Sequence, residues 1–182
     1  MEGDSLGDQY RELLNLLKHD GARLFSLLVR LTLREDVAED LMQDLFIRLS
    51  DSRGFREANS PQAYARTTAI RLAFDWRRSR KSRPIGNLVE EPVGSTDSPL
   101  DGLLEAEQID QVLNAMEQLS ESDCEILVLR YLEQHEYEQI SNLRDTTAHV
   151  ARAQCHKAMK RLRGLLDVSS DISQKEPRRA DA

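Results

Sequence analysis

Apolar residues recur at intervals of three and four through most of this chain, and no segment alternates apolar and polar residues as a half-buried strand does. A stripe of leucines lies within residues 24–31. A longer stripe consists of Val37, Ala38, Leu41, Met42, Leu45, Phe46 and Leu49. Because this spacing puts the apolar side chains on one face of a helix, we expect an all-α protein built from amphipathic helices.

A segment rich in proline, glycine and serine interrupts the helical pattern between residues 84 and 102. Such a segment buries too little apolar surface to offset the entropy lost on ordering. The sequence therefore predicts two small helical domains, residues 8–83 and 104–166, with a flexible linker at 84–103 and a disordered tail at 167–182.

Capping residues mark where several helices begin. Ser60-Pro61 is an N-cap followed by proline at the first helical position, and Ser120 precedes a second apolar stripe. Near the end of the chain we expect a short helix at about Tyr137–Leu143 and a longer basic one from about Thr147 to Leu166. This order is typical of a helix-turn-helix.

The net charge of −7 argues on average against nucleic-acid binding, but the charge is sorted into blocks. Residues 66–83 hold seven basic residues and one acidic one, and residues 144–163 hold six and one. The eleven charged residues of 84–128 are all acidic. Two basic stretches separated by an acidic one suit two DNA-facing surfaces, although solvated helix faces would look the same.

Several classes of protein fit the sequence poorly. The two cysteines have no metal-ligand spacing around them, and the acidic N-terminus lacks a signal pattern. No run approaches the length of a membrane span. We expect a cytoplasmic protein that does not insert into membranes, is not an enzyme, and has no cofactor, metal site or small-molecule substrate, since no catalytic constellation is visible.

The helix predicted around residues 37–49 carries acidic residues opposite its apolar stripe. Five acids fall within residues 35–44, and Asp40, Gln43 and Asp44 share the polar face. Such a face could dock on a positively charged partner. Periodicity alone favours a merely solvated surface.

The helix predicted from Pro61 to about Lys81 is basic. Its arginines surround an apolar stripe: Arg66, Arg71, Arg77 and Arg78. This spacing suits contacts to successive phosphates of one strand. Tyr64 and Trp76 could each support an unstacked base, although Trp76 is better explained as part of the hydrophobic core.

The last long helix carries a positive stripe opposite an apolar one. His149, Arg152, His156 and Lys160 follow at spacings of three, four and four, which suits a recognition helix in the major groove. His156 beside Cys155 does not indicate a metal pair, because adjacent helical residues point in different directions.

Three segments resemble those of the bacterial sigma-70 family, of the extracytoplasmic-function type. AEDLMQDLFIRL (38–49) is similar to the helix of the sigma-two domain that binds core RNA polymerase. SPQAYARTTAIRLAFDWRRSR (60–80) is similar to the promoter-melting helix of that domain. LVLRYLEQHEYEQIS (127–141) resembles the entry to the sigma-four domain. With the basic final helix, the resemblance covers about residues 10–166 in the order of the family.

The resemblance implies a sigma factor with a sigma-two helical bundle and a sigma-four helix-turn-helix, whose partners are core RNA polymerase and promoter DNA. Asp40, Gln43 and Asp44 would contact the polymerase. Residues that would hold the separated strand are Asn59, Ser60, Tyr64, Arg66, Arg71, Arg77 and Arg78, with a flipped base captured around Phe55–Ser60. Residues that would read the duplex are His149, Arg152, His156, Lys157 and Lys160. An anti-sigma factor is a further partner that the resemblance implies.

The sequence departs from the family pattern in its second half. Gln134-His135 and Arg144-Asp145 stand where the family has glycine followed by an apolar residue, and Glu136 replaces a Ser or Thr cap. Because glycine supplies a left-handed backbone, we expect either a differently built turn or weakened distal promoter binding. Two alternatives follow: an ordinary helix-turn-helix regulator, and a sigma-like decoy that has lost distal readout.

Overall fold

The computed structural model describes residues 3–81 and 99–174, with side chains over 10–80 and 106–168. Every regular element in these ranges is helical, which confirms the expected all-α fold. The helices are α1 (Gly3–Thr32), α2 (Glu35–Ser50), α3 (Arg53–Arg56), α4 (Pro61–Lys81), α5 (Pro99–Met116), α6 (Glu121–Leu127), α7 (Tyr137–Leu143) and α8 (Ala148–Gln174). The chain divides into two compact units after Ala106.

The core of the first unit lies between α1, α2 and α4, which pack against one another. Both apolar stripes face this core. The buried side chains include Leu24, Leu27, Leu28 and Leu31 of α1, Val37, Ala38, Leu41, Leu45 and Leu49 of α2, and Ala65, Ala69, Leu72 and Ala73 of α4. The prediction that spacings of three and four mark the buried faces is thus confirmed, with Met42 and Phe46 only half-buried.

The turn between α1 and α2 is tight and stabilised by local hydrogen bonds. Leu33 adopts the left-handed conformation at a φ of 59°. The buried Thr32 hydroxyl donates to the Leu28 carbonyl over 2.8 Å, and it accepts from the Arg34 backbone N–H over 3.3 Å. A left-handed residue other than glycine is costly, so these bonds and the packing of both helices hold it in place.

The core of the second unit lies between α6, α7 and α8. Its buried side chains include Leu113, Leu119, Cys124, Ile126, Val128, Ile140, Ala151, Cys155, Ala158 and Leu162. Ser120 caps α6 as predicted, because its Oγ accepts from the Asp123 backbone N–H over 3.2 Å. In the first unit Ser60 caps α4 in the same way, accepting from Ala63 over 3.2 Å.

A widened helical turn follows α6 and was not predicted. Residues Val128–Leu132 form a π-helical segment, in which the Glu133 backbone N–H donates to the Val128 carbonyl over 2.9 Å. The bond spans five residues instead of four, so the segment holds one residue more than a regular α-helical turn.

Three predicted boundaries differ from the structure. Helix α5 begins at Pro99, inside the predicted linker, because proline is well suited to the first helical position. Helix α8 continues to Gln174, so residues 167–174 of the predicted disordered tail are helical. Residues 165–174 contain no glycine or proline that would end the helix. Helix α1 begins at Gly3, before the predicted start at residue 8. Residues 82–98 and 175–182, the rest of the predicted linker and tail, lie outside the described residues.

Candidate functional site

The polar face of α2 presents the three residues predicted to bind a partner. Asp40, Gln43 and Asp44 are all exposed, and none of them has a hydrogen-bond or ion-pair partner among the described residues. Ile47, one turn further along, is 57% exposed. The structure therefore brings two free carboxylates, an amide and an apolar side chain to one solvent-facing surface.

Asp36, also on α2, already forms an ion pair with Arg34. The Arg34 guanidinium contacts both carboxylate oxygens of Asp36, at 3.0 and 2.5 Å. These hydrogen bonds hold the pKa of Asp36 below its ordinary value. The negative charge that α2 offers to a partner therefore comes from its other exposed acids, Glu35, Glu39, Asp40 and Asp44.

A cleft of about 490 Å³ lies where the end of α2 meets α4. The residues that line it are Ile47, Arg48, Asp51, Ser52, Tyr64, Thr68 and Arg71. Two cations, one carboxylate, an aromatic ring and several hydroxyls thus line one opening, and the cations and the ring suit phosphate and base contacts. The cleft begins directly beside the exposed Ile47 of the α2 surface.

Close packing fixes Tyr64 at the cleft wall. Its hydroxyl is 2.9 Å from the Ser52 Oγ, and its ring packs at a tilt of 58° against Phe55, with centroids 6.2 Å apart. A Cβ at Gly54 would lie 2.8 Å from the Tyr64 hydroxyl, so only glycine allows this approach. Ser52 also accepts from the Phe55 backbone N–H over 3.1 Å, which caps the short helix α3.

The residues predicted to hold a separated strand do not form one surface. Tyr64 and Arg71 line the cleft, and Asn59 is exposed in the turn before α4. The Ser60 hydroxyl is engaged as the cap of α4, and Arg66 is half-buried. Phe55, within the segment expected to capture a base, is completely buried. The cleft is therefore the place in this unit where the predicted residues come together.

Two of the predicted arginines are used within the fold. Arg78 donates to the Asp75 carboxylate over 2.6 Å. The expectation that Arg77 lies on the exposed basic face is wrong, because Arg77 is 0% exposed. Its Nη1 donates to the Leu31 carbonyl over 3.3 Å, at the C-terminal end of α1, where orphan carbonyls attract cations. Trp76 is half-buried, with the Arg80 guanidinium 5.4 Å from its ring.

The residues predicted to read duplex DNA all lie exposed on α8. They are His149, Arg152, His156, Lys157 and Lys160. The opposite side of the helix is buried through Ala151, Cys155, Ala158 and Leu162. Arg163 is also exposed and continues the stripe three residues after Lys160; sequence reasoning missed it, although the spacing could have indicated it.

The turn between α7 and α8 keeps a left-handed backbone without glycine. Asp145 has a φ of 47°, and the Thr146 backbone N–H donates to the Ser141 carbonyl over 2.9 Å. This is the hydrogen bond of a Schellman motif, in which a short polar side chain can replace glycine. Arg144, where the expected glycine would stand, has a φ of −110°, so the turn is left-handed at the second residue of the Arg144-Asp145 pair. Gln134 is likewise left-handed, at 57°.

Arg144, the residue before Asp145, ties this turn to two other helices. Its guanidinium donates to the Ser122 hydroxyl over 2.7 Å and to the Gln154 side chain over 3.2 Å, and lies 3.8 Å from the Glu125 carboxylate. These contacts hold the turn against α6 and α8. No local pattern indicates these contacts, because the partners are 10 to 22 residues away.

One family model matches part of the first half of the chain. Residues 16–83 match the family model of sigma-70 region 2. The matched segment contains the whole of α2 and α4, and with them the acidic surface and the cleft. No curated protein matches the chain in sequence.

Two solved structures match this chain over most of its length. One is CnrH, solved in complex with the cytosolic domain of CnrY; it has a TM-score of 0.50 and 15% identity, over 91% of this chain and 94% of that one. Another is the sigma factor RpoE in complex with the anti-sigma factor NepR from Bartonella quintana, with a TM-score of 0.44 and 22% identity over 88% and 98% of the two chains. The likeness to CnrH shows a shared fold.

Metal-ligand clusters and membrane-spanning helices are both absent from the described residues. Among them no three His, Cys, Asp or Glu side chains lie together in a way that could hold a metal ion. Within the same part of the chain, no helix combines the length and apolar character that crossing a membrane requires.

Proposed function

We propose that this protein is a sigma factor of the extracytoplasmic-function type, which binds core RNA polymerase and directs it to promoters. The observation that carries the proposal is the sigma-70 region 2 match at residues 16–83. That segment holds both the free carboxylates of α2 and the cleft beside them. One short stretch of chain thus provides a partner surface next to a nucleic-acid surface.

The α2 surface is the proposed contact with the polymerase. Asp40, Gln43 and Asp44 are exposed on a helix whose other face packs into the core, so their backbone positions are fixed before binding. A preorganised surface loses less entropy on association. Ile47 adds exposed apolar area that a partner can bury, and the carboxylates select a positively charged partner.

The cleft between α2 and α4 is the proposed site for one base of the separated strand. Taking a base out of the duplex costs a few kcal/mol. Stacking on an aromatic side chain returns about 1–3 kcal/mol per base, and Tyr64 is the ring at the cleft wall. Arg48 and Arg71 in the lining supply phosphate contacts, so melting needs capture of a strand and no covalent chemistry.

Helix α8 is the proposed reader of the distal promoter element. Its exposed stripe of His149, Arg152, His156 and Lys160 stands opposite a buried face, as a recognition helix in the major groove requires. Lys157 and Arg163 flank this stripe and suit phosphate contacts. The decoy alternative rests on the altered turn, and the hydrogen bond from Thr146 to Ser141 across the left-handed Asp145 supports an ordered turn instead. The ordinary-regulator alternative leaves the region 2 match without a role.

The remaining partners follow from the same proposal. Binding by an anti-sigma factor and a place in the cytoplasm are expectations of the family resemblance, and no cofactor is required for any step proposed above.

Purified full-length chain with core polymerase tests the proposal. We expect co-purification and a promoter-dependent run-off product. Asp44→Lys should weaken polymerase binding at least tenfold, about 1.4 kcal/mol, because it places a cation where the partner is expected to be positive. Glu12→Lys, the same charge change at an exposed position of α1, is the matched control.

The outcomes separate the alternatives. Equal binding by the two variants would remove α2 as the contact, and the absence of both co-purification and product rejects the sigma role. A stable homodimer in sedimentation that binds a palindromic duplex without polymerase would favour an ordinary regulator instead.

A further inference from the structure

Two arginines of the second unit lie over one tyrosine ring. Tyr137 is the first residue of α7. The guanidinium carbon of Arg130 is 4.9 Å from the ring centroid, and that of Arg152 is 5.1 Å from it. Both distances are within the range at which a cation is attracted to an aromatic ring. Arg130, Tyr137 and Arg152 thus form a cluster that joins the π-helical segment, α7 and α8.

Arg130 is held firmly by contacts that do not involve α8. Its Nη1 donates to the His135 carbonyl over 2.9 Å and lies 3.1 Å from the Glu136 carboxylate. That carboxylate raises the pKa of Arg130 above its ordinary value. The Glu136 charge offsets one of the two cations, which allows the second guanidinium to approach the same ring.

Tyr137 is itself fixed between these neighbours. Its side chain is half-buried, and burial together with the Cys155 thiol raises the pKa of the Tyr137 hydroxyl. Cys155 belongs to the buried face of α8. The ring is therefore a rigid platform between Arg130 and the helix that carries Arg152.

Arg152 is exposed within the stripe of α8 that faces away from the core. Among the described residues, its guanidinium has this contact with the Tyr137 ring and no hydrogen bond or ion pair. A free arginine samples many rotamers, whereas bidentate donation to a guanine edge requires the guanidinium plane in one orientation.

We propose that Tyr137 is a positioning residue for base recognition: it holds the guanidinium of Arg152 in the orientation that reads a base pair, and Arg130 anchors the ring. This inference rests on the proposed role of α8 in reading duplex DNA. It adds a specificity determinant that does not itself lie on α8. Preorganisation of this kind improves discrimination because less freedom is lost on binding.

The test measures base preference with a randomised duplex library, using the full-length chain bound to core polymerase. In Tyr137→Leu we expect the preference at the base pair read by Arg152 to fall about tenfold, while other positions keep theirs. Tyr137→Phe should retain it, because the ring is preserved. Tyr131→Leu, at a tyrosine that is 53% exposed, is the matched control and should change nothing.

The same substitution in an Arg152→Ala background tests whether Tyr137 acts on base preference through Arg152. There Tyr137→Leu should have no further effect on preference, since the side chain that it positions is gone. In the free protein, the NMR signal of the Arg152 side-chain Nε–H should become more mobile in Tyr137→Leu and not in Tyr137→Phe. Circular dichroism confirms that each variant is folded.

An unchanged preference in Tyr137→Leu, or an effect that persists without Arg152, overturns the positioning role and leaves the proposed function standing. A wild-type chain without any base preference overturns both together. A loss spread evenly over all positions would assign Arg152 to phosphate contact and also overturn the inference.

Discussion

Helices α4 and α8 carry similar numbers of basic residues and use them in different ways. In α4, Arg77 is buried against the end of α1, Arg78 pairs with Asp75, and Arg80 lies over Trp76. In α8, Lys157 and Lys160 are exposed without an ion-pair partner among the described residues. The α4 cations largely stabilise their own unit, whereas Lys157 and Lys160 of α8 remain available to a polyanion.

The contrast shows that a basic sequence is not the same as a basic surface. Arginine has a long apolar stem and five donors, so it fits a helix interface and satisfies carbonyls there. Lysine keeps a compact, strongly hydrated charge and stays in water. The proposed nucleic-acid surface of the first unit is therefore confined to the cleft, and the one proposed for the second unit extends along a helix.

The largest expected effect would separate structural from surface cations. Arg77→Ala should lower the free energy of unfolding by about 3 kcal/mol, since it leaves a cavity and removes a donor from the Leu31 carbonyl. Lys160→Ala should stay within about 0.5 kcal/mol of the wild type. Urea unfolding measures the free energy of both variants, and equal losses would contradict the distinction between structural and surface cations.

A second variant tests whether one arginine of the second unit is also structural. Arg144→Ala should cost about 2 kcal/mol, because it removes the contacts to Ser122, Gln154 and Glu125 together. Arg144→Lys keeps the charge without the planar fork and should fall between alanine and wild type. Thermal unfolding followed by circular dichroism gives the order; a neutral Arg144→Ala would contradict it.

The next prediction concerns binding. Lys157→Ala with Lys160→Ala should weaken duplex binding about tenfold and reduce the slope of log K against log salt by about two. Arg78→Ala should alter that slope by less than one, because Asp75 already neutralises it. Fluorescence anisotropy at several salt concentrations measures this, and the same slope in all three proteins would place the phosphate contacts elsewhere.

The smallest expected effect concerns the left-handed residue Asp145 in the turn between α7 and α8. Asp145→Gly should raise stability by about 0.5–1 kcal/mol, because glycine adopts the left-handed conformation without the side-chain cost. Asp145→Val should lower it, since a branched side chain is strained there. Chemical unfolding of the two variants decides the sign; a loss in Asp145→Gly would show that the carboxylate itself stabilises the turn.

Much of the fold could be predicted because it depends on local signals. The caps at Ser60 and Ser120, the bounds of α7, and the buried faces of α2 and α8 follow from residue type and spacing. These features need no knowledge of which helix packs against which. The exposure of Asp40 and Asp44 followed from the same periodicity.

The features that sequence reasoning missed depend on distant neighbours. Arg77 follows the buried Ala69 and Ala73 at spacings of four, but its charge indicates a surface residue, and the Leu31 carbonyl shows which group it contacts inside the unit. Gly54 gave no sign that Tyr64 would pack against it. Arg144 replaces an expected glycine, and its contacts to α6 and α8 involve residues 10 to 22 positions away in the chain. Contacts between helices cannot be read from the period of one helix.

In the π-helical segment Val128–Leu132, the number of residues matters as much as their identity. Each residue turns an α-helix by about 100°. Deleting one residue here would restore a regular turn and rotate Arg130 away from the ring that it anchors. The segment should therefore tolerate exchanges of one apolar side chain for another far better than a single-residue insertion or deletion.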